Sequence, residues 1–219
     1  MGALGITGAH RVGKTSLAKA LQCRFPDYFK YVPTNVSGAL KAEGFDSSRL
    51  PELTVSDFLR AQTIVLDQII EVSQRCAKKS DYLYVLDRTP IDAVIYARAY
   101  WSSKELHTAD NTAVLTMFDD YYRKAVDACR KNFALMIGVQ PGIELIEEKG
   151  KASAFRPYID HLNDLMLGEM WKLSEREHSP DCLIIESDTI DLKERVDIVS
   201  CFAAEIALDD LKQAKRNLN

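Results

Sequence analysis

Gly8-Ala9-His10-Arg11-Val12-Gly13-Lys14-Thr15 fits the pattern G-x-x-x-x-G-K-[ST]. Its flanks decide what it means. Ala3-Leu4-Gly5-Ile6-Thr7 before it is an apolar run of strand length, and Leu17, Ala18 and Leu21 after it share one face of a helix. A strand, a glycine turn and a helix N-terminus together aim backbone N–H groups at an anion. Gly8 and Gly13 allow a backbone too tight for a Cβ. In that geometry Lys14 reaches the outer phosphates of a polyphosphate and the Thr15 hydroxyl sits where Mg²⁺ bridges them. The expected donor-side residues are therefore Gly8, His10, Arg11, Val12, Gly13, Lys14, Thr15 and Ser16.

Outward from this loop, the chain alternates strand and helix. Tyr28–Pro33 reads as a second strand and 35–51 as a polar, turn-rich stretch. A long helix is expected from Ser56, its N-cap, with Phe58, Ala61, Val65, Ile69 and Val72 recurring every three or four residues. Tyr82–Leu86 is the next strand; Thr89 then caps a helix whose first residue is Pro90. A surface loop over 102–111 leads to a helix carrying Val114, Phe118, Tyr121, Ala125 and Cys129. Phe133–Val139 is apolar almost without a break, as in a parallel strand buried on both faces. A charged loop over 144–156 precedes a helix with Ile159, Leu162, Met166, Met170 and Leu173 inward. Cys182–Ile185 is a fifth strand, and Asp191 with Glu194 resembles a capping box for a last helix. The expected fold is α/β with three layers, a parallel sheet covered by helices on both faces. One domain is expected over 1–219, with a lid segment near 142–158.

The chain has 219 residues, 47% of them hydrophobic, and a net charge of -4. That acidic balance argues against a general nucleic-acid partner. No apolar run approaches the roughly 18 residues of a membrane span, and no signal peptide is read. Gly2 is not a myristoylation site, because Ile6 stands where Ser or Thr is needed. Five scattered cysteines without C-x-x-C spacing suggest neither a disulfide framework nor a zinc site. A reducing, cytoplasmic setting is expected. A small-molecule partner fits best, and a homodimer stays open.

The strand ending Val85-Leu86-Asp87-Arg88 narrows the chemistry. A carboxylate there can organise Mg²⁺ or take a proton from an attacking hydroxyl. The adjacent guanidinium offers a planar fork for phosphate. A GTPase would show D-x-x-G here and N-K-x-D elsewhere, and neither occurs. An oligomeric ATPase motor would need a further helical domain, for which this length leaves no room. A small phosphotransferase survives both comparisons.

Gly8–Thr15, the stretch Asp87-Arg88-Thr89-Pro90-Ile91-Asp92 and the charged loop near Lys149–Arg156 resemble the P-loop nucleoside and nucleotide kinases. The resemblance lies nearest to small phage and bacterial kinases with a D-R-[ST]-P-x-D segment, relatives of ribosylnicotinamide kinases among them. Thymidylate and deoxynucleoside kinases are more distant. It implies the P-loop NTPase fold with a five-stranded sheet in the order 2-3-1-4-5. It implies transfer of the γ-phosphoryl group of ATP with Mg²⁺ to a nucleoside monophosphate, a deoxynucleotide foremost. Lys14, Asp87, Arg88 and Arg156 would be catalytic, and Thr15 and Asp87 would hold the metal. Arg156, Lys149 and Lys151 would ride on a closing lid, although relatives often show Asp-Gly-x-Arg where this chain reads Ala154-Phe155-Arg156.

On the acceptor side, Asn35, Ser37, Arg60 and Arg88 are the candidates. Asn35 and Ser37 fall where some relatives carry an acidic residue and an arginine. Gln62 shares the helix of Arg60, and Phe58 and Tyr96 could stack on a base, although aromatics at this spacing are more often core. Two alternatives stand beside this expectation. One is a nucleoside kinase or a kinase of a hydroxymethylated base in DNA. The other is a non-enzymatic nucleotide-dependent switch.

Overall fold

The computed structural model describes residues 2–79, 81–103, 112–146 and 154–216. β1 (Ala3–Thr7) is buried along its whole length and forms the middle of a five-stranded parallel sheet. It pairs on one side with β3 (Leu83–Leu86) and on the other with β4 (Phe133–Val139). β2 (Phe29–Val32) lies outside β3, and β5 (Asp181–Ile185) lies outside β4. The order β2-β3-β1-β4-β5 is the one expected. Leu4, Ile6, Leu86, Leu135, Met136 and Ile137 are fully buried. Each such large aliphatic side chain contributes about 1.5–3 kcal/mol by leaving water, so the central strands anchor everything hung from their ends.

The helices flank the sheet in three layers. α1 (Lys14–Arg24) packs beside α7 (Leu192–Arg216). α3 (Val55–Ala77), α4 (Pro90–Ser103) and α5 (Thr112–Asn132) pack against one another, and α6 (Arg156–Ser174) packs on α4. The inward stripe expected on α6 is observed, with Ile159, Leu162, Met166, Met170 and Leu173 all buried. On α3, Phe58, Ala61, Ile69 and Val72 are buried and Val65 is partly so. Among the described residues, no helix is long and apolar enough to cross a membrane.

Four local expectations are corrected. α3 begins one residue before Ser56, and its cap is Thr54, whose hydroxyl accepts the Asp57 N–H at 3.2 Å and donates to the Asp57 carboxylate at 2.8 Å. That reciprocal pair satisfies the first turn better than Ser56 could from inside it. β2 is shorter than 28–33, because Tyr28 is exposed in a turn and Pro33 has no N–H to give the ladder. The stretch 35–51 is not all turns: it holds α2 (Val36–Ala42) and a 3₁₀ turn over Ser47–Glu52. Leu40 supplies the buried side chain that makes α2 worth folding. α4 runs through Ser103, so 102 and 103, expected in a loop, are helical; 104–111 lies outside the described residues, as do 147–153 with Lys149 and Lys151.

The chain leaves β1 toward β2 on one side and later crosses to β4 on the other. This reversal opens a crevice at the carboxyl ends of the strands, where open α/β sheets bind ligands. Two loops close one flank of it. A Cβ on Gly142, just after β4, would lie 1.7 Å from the Ser187 carbonyl oxygen in the loop before α7. Only a residue without a side chain lets these backbones meet. Gly142→Ala should therefore lower stability by about 1–3 kcal/mol, as overpacking does. Urea unfolding would show this as a lower midpoint; an unchanged midpoint would contradict the close approach.

Candidate functional site

The phosphate loop turns between β1 and α1. Gly8 has φ +145 and Gly13 φ +93, backbone that L side chains rarely adopt, and a Cβ on Gly8 would lie 2.5 Å from the Val139 carbonyl oxygen. Both glycines expected from the pattern are thus required by the shape of the turn. Arg11 also has positive φ, and its guanidinium donates to the Ile146 carbonyl, tying the loop to the segment after β4. Val12 is buried beneath the loop, while Thr15 and Ser16 are exposed at its rim.

Lys14 is buried, and its ammonium donates to the Gly8 and Ala9 carbonyls at 2.7 and 2.6 Å. It also lies 3.8 Å from Asp92 Oδ1. Burial, and then the neighbouring Arg88 cation, lowers its pKa to about 7 despite the attraction of Asp92 and Asp87. The ammonium is thus held by the loop's own carbonyls in a setting that disfavours its charge.

Asp87 follows β3 and gathers hydroxyls from three segments. Thr15 Oγ1 donates to its Oδ2 at 2.7 Å, Tyr31 Oη to the same oxygen at 2.8 Å, and Thr34 Oγ1 to Oδ1 at 3.3 Å. The register of β2 on β3 places Tyr31 opposite Val85, two residues before Asp87. Burial and the bond to Asp87 push the Tyr31 phenol up, so it stays a proton donor. Thr34 is itself fixed, its carbonyl accepting the Gln68 amide at 3.0 Å.

Arg88 lies half-buried next to this carboxylate. Its Nη1 is 3.6 Å from Asp92 Oδ1, and its guanidinium carbon is 5.8 Å from the centroid of Tyr96. Asp92 is buried in the first turn of α4, where its Oδ2 accepts the Thr89 N–H at 2.7 Å and the Thr89 hydroxyl at 3.2 Å. Thr89 therefore precedes Pro90 as expected, but its side chain gives a hydrogen bond instead of accepting one. Asp92 Oδ1 has no hydrogen bond among the described residues and faces Lys14 and Arg88 as a shared anion.

Thr15, Pro33, Thr34, Asn35, Val36, Ser37, Asp87 and Arg88 line one cavity of about 210 Å³. Asn35 and Ser37, expected on the acceptor side, are both in its wall. Asn35 takes left-handed φ of 50, and its side chain folds over Gly38 at the start of α2. Arg60 is not brought there: it is exposed on α3 and lies 5.5 Å from the Phe45 ring centroid. Arg156 is exposed at the start of α6 and pairs with Asp160 at 2.7 Å. Phe58 stacks on Tyr100 with centroids 3.6 Å apart, so it is core. Gln62 is buried under Tyr121. The Tyr96 hydroxyl bonds His10 Nδ1 at 3.0 Å, and Tyr158 of α6 flanks the same imidazole at 6.0 Å.

Tyr31 and Thr34 escape the sequence reading, and Asp92 enters it only as the end of a motif. Thr89-x-x-Asp92 is a capping signature before an apolar run, which could have flagged Asp92. Tyr31 and Thr34 carry no such signal, because only strand register brings them to Asp87.

The arrangement is that of a P-loop nucleotide-binding fold. A family model described as an AAA domain matches residues 4–131, from β1 through the described part of α5, and the chain belongs to that family. None of the curated proteins compared matches the sequence. Several solved structures share the fold. Deoxyadenosine kinase from M. mycoides, with dCMP and dCDP bound, aligns with TM-score 0.65 and 14% identity over 93% of this chain and 99% of that one. Thymidylate kinase from Candida albicans aligns with TM-score 0.60 and 16% identity over 94% and 92%. A NadR protein in complex with NAD and AMP-PNP aligns with TM-score 0.59 and 13% identity over 91% of this chain and 48% of that one. The fold is therefore that of the P-loop nucleoside and nucleotide kinases.

A polyphosphate seated in the loop would restore charge to Lys14 and raise its pKa. Binding at pH 8 should then take up protons, and affinity should be flat below pH 7 and fall as pH rises above it. Calorimetric titration with a nucleoside triphosphate in buffers of different ionisation enthalpy measures this uptake. Lys14→Met should show none, and equal uptake by both proteins would remove Lys14 as its source.

Proposed function

We propose that this chain is an ATP-dependent phosphotransferase that passes the γ-phosphoryl group to a nucleoside monophosphate or a closely related nucleoside. One observation carries the reading. Thr15 of the phosphate loop and Asp87 at the end of β3 meet at 2.7 Å, and both face a cavity that also holds Arg88. Donor loop, carboxylate and acceptor cavity thus share one wall.

The residues divide the work as follows. The loop N–H groups and Lys14 seat the triphosphate, and Lys14 exchanges the Gly8 and Ala9 carbonyls for phosphate oxygens. Thr15 and Asp87 present hard oxygen donors side by side, which suits Mg²⁺. Bound there, that ion would neutralise charge on the outer phosphates. Tyr31 and Thr34 fix the Asp87 carboxylate, leaving Oδ1 with a single long bond at 3.3 Å to receive a proton from the acceptor. Arg88, steadied by Asp92 and Tyr96, offers its fork to phosphate. Positioning and charge stabilisation supply most of the acceleration in such a transfer.

A monophosphate acceptor would use Arg88 for its phosphate. The hydroxyl-acceptor reading is favoured by the cavity wall itself, where Asp87 and Arg88 balance and Thr34, Asn35 and Ser37 are neutral hydrogen-bonding groups. A carboxylate takes a proton from a hydroxyl but repels a dianionic phosphate. A phosphorylation screen of nucleosides and nucleoside monophosphates with ATP separates the two.

Lys14→Ala should abolish transfer in that screen. Asp87→Asn should lower kcat by about 10²–10⁴-fold while ATP affinity stays within about threefold, under half of the 1.4 kcal/mol that a tenfold change represents. Unchanged kinetics in Asp87→Asn would take Asp87 out of the mechanism.

A further inference from the structure

Arg195 breaks three rules at once. It is 2% exposed, yet among the described residues no carboxylate pairs with it. Its Nη2 is buried and has no hydrogen-bond partner among the described residues. It also sits in the first turn of α7, at the positive end of the helix dipole, where Asp191 caps the Glu194 N–H at 2.8 Å and a cation is disfavoured. A buried, unpaired charge costs several kcal/mol in general, and burial pulls the Arg195 pKa down with nothing opposing it. A side chain kept against local preference marks a place where function outweighs stability.

Its two hydrogen bonds show where it acts. Nη1 donates to the Val12 carbonyl at 2.9 Å and Nε to the Thr189 carbonyl at 2.6 Å. The first holds the phosphate loop from behind; the second ties the loop before α7 to it. Nη1 is also 3.4 Å from the point where a Cβ on Gly13 would sit. The guanidinium therefore lies directly against the last loop residue before α1, whose N-terminus already favours an anion.

We propose that Arg195 is a positioning residue of the phosphate loop and that its buried charge has a triphosphate as its counter-ion. It fixes the Val12 carbonyl so that the neighbouring N–H groups keep their aim. It also adds a fixed positive charge in a site of low dielectric, where its field is weakly screened. The chain thus retains a charge that is costly when the loop is empty and favourable when an anion fills it. This inference rests on the reading of the loop as a triphosphate site.

The test compares wild type, Arg195→Gln and Arg195→Lys as full chains, titrated calorimetrically with ATP and with inorganic tripolyphosphate. Arg195→Gln should weaken both ligands about tenfold or more, by a similar factor, and flatten the salt dependence of binding. Arg195→Lys, which keeps the charge, should recover part of that affinity. Without ligand, Arg195→Gln should unfold no earlier than wild type, since it removes an unpaired buried charge. Loss of ATP binding alone, or a lower unfolding midpoint with unchanged salt dependence, would overturn the inference in favour of base contact or plain packing. Wild type that binds neither ligand removes the triphosphate reading; Arg195→Gln that binds both as tightly as wild type removes only this inference.

Discussion

The carboxylate of Asp87 is where the separate parts of this molecule meet. Thr15 comes to it from the phosphate loop, Tyr31 from the neighbouring strand, and Thr34 from the turn before α2. Each of these depends on a longer-range choice. Thr15 needs the Gly8 and Gly13 backbone, and Tyr31 needs the β2–β3 register. Thr34 needs the Gln68 amide reaching across from α3. A slip of β2 by one residue would turn Tyr31 to the other face of the sheet and break the cluster. The buried central strands set that register, so the core positions the chemistry as well as stabilising the fold.

Around this carboxylate the charges are arranged for an anion that completes them. Lys14 and Arg88 share the buried Asp92, and Arg195 stands behind the loop with no carboxylate paired to it among the described residues. Lys14, Arg88 and Arg195 thus stand at or behind the loop, and Asp92 is the buried anion that the first two share. The low pKa of Lys14 comes first from its burial and then from Arg88, against the support of Asp92 and Asp87. The cavity beside the loop differs: Asp87 offsets Arg88, and Thr34, Asn35 and Ser37 add hydroxyl and amide groups beside Pro33 and Val36. In the proposed transfer the loop would take the polyanion and the cavity a hydrogen-bonding acceptor.

Much of this was legible in the sequence because it is local. The phosphate loop, the β4 run, the apolar stripe of α6 and the Asp191 cap each express a short-range preference. The strand order came from the family resemblance, since no periodicity encodes it. What escaped was set by distance in sequence. Tyr31 meets Asp87 across 56 residues and Arg195 meets Val12 across 183. Arg60 illustrates the opposite error: a cation beside an apolar stripe faces solvent and Phe45, away from the cavity. The missed helix over Val36–Ala42 is only seven residues long and has Gly38 in its first turn, which reads as a turn signal.

The family name and the structural neighbours bear on one remaining choice. The AAA domain match spans residues 4–131, which hold the loop and Asp87. The kinase likeness extends over nearly the whole chain. A kinase differs from a hydrolase in giving the phosphoryl group to an acceptor other than water. The decisive measurement is ADP formation from ATP with and without a pool of nucleosides and nucleoside monophosphates, with phosphorylated product counted in the same samples. ADP that forms only with the pool, matched one for one by phosphorylated acceptor, is the predicted result. ADP formed at the same rate without the pool, with only inorganic phosphate released, would contradict the account.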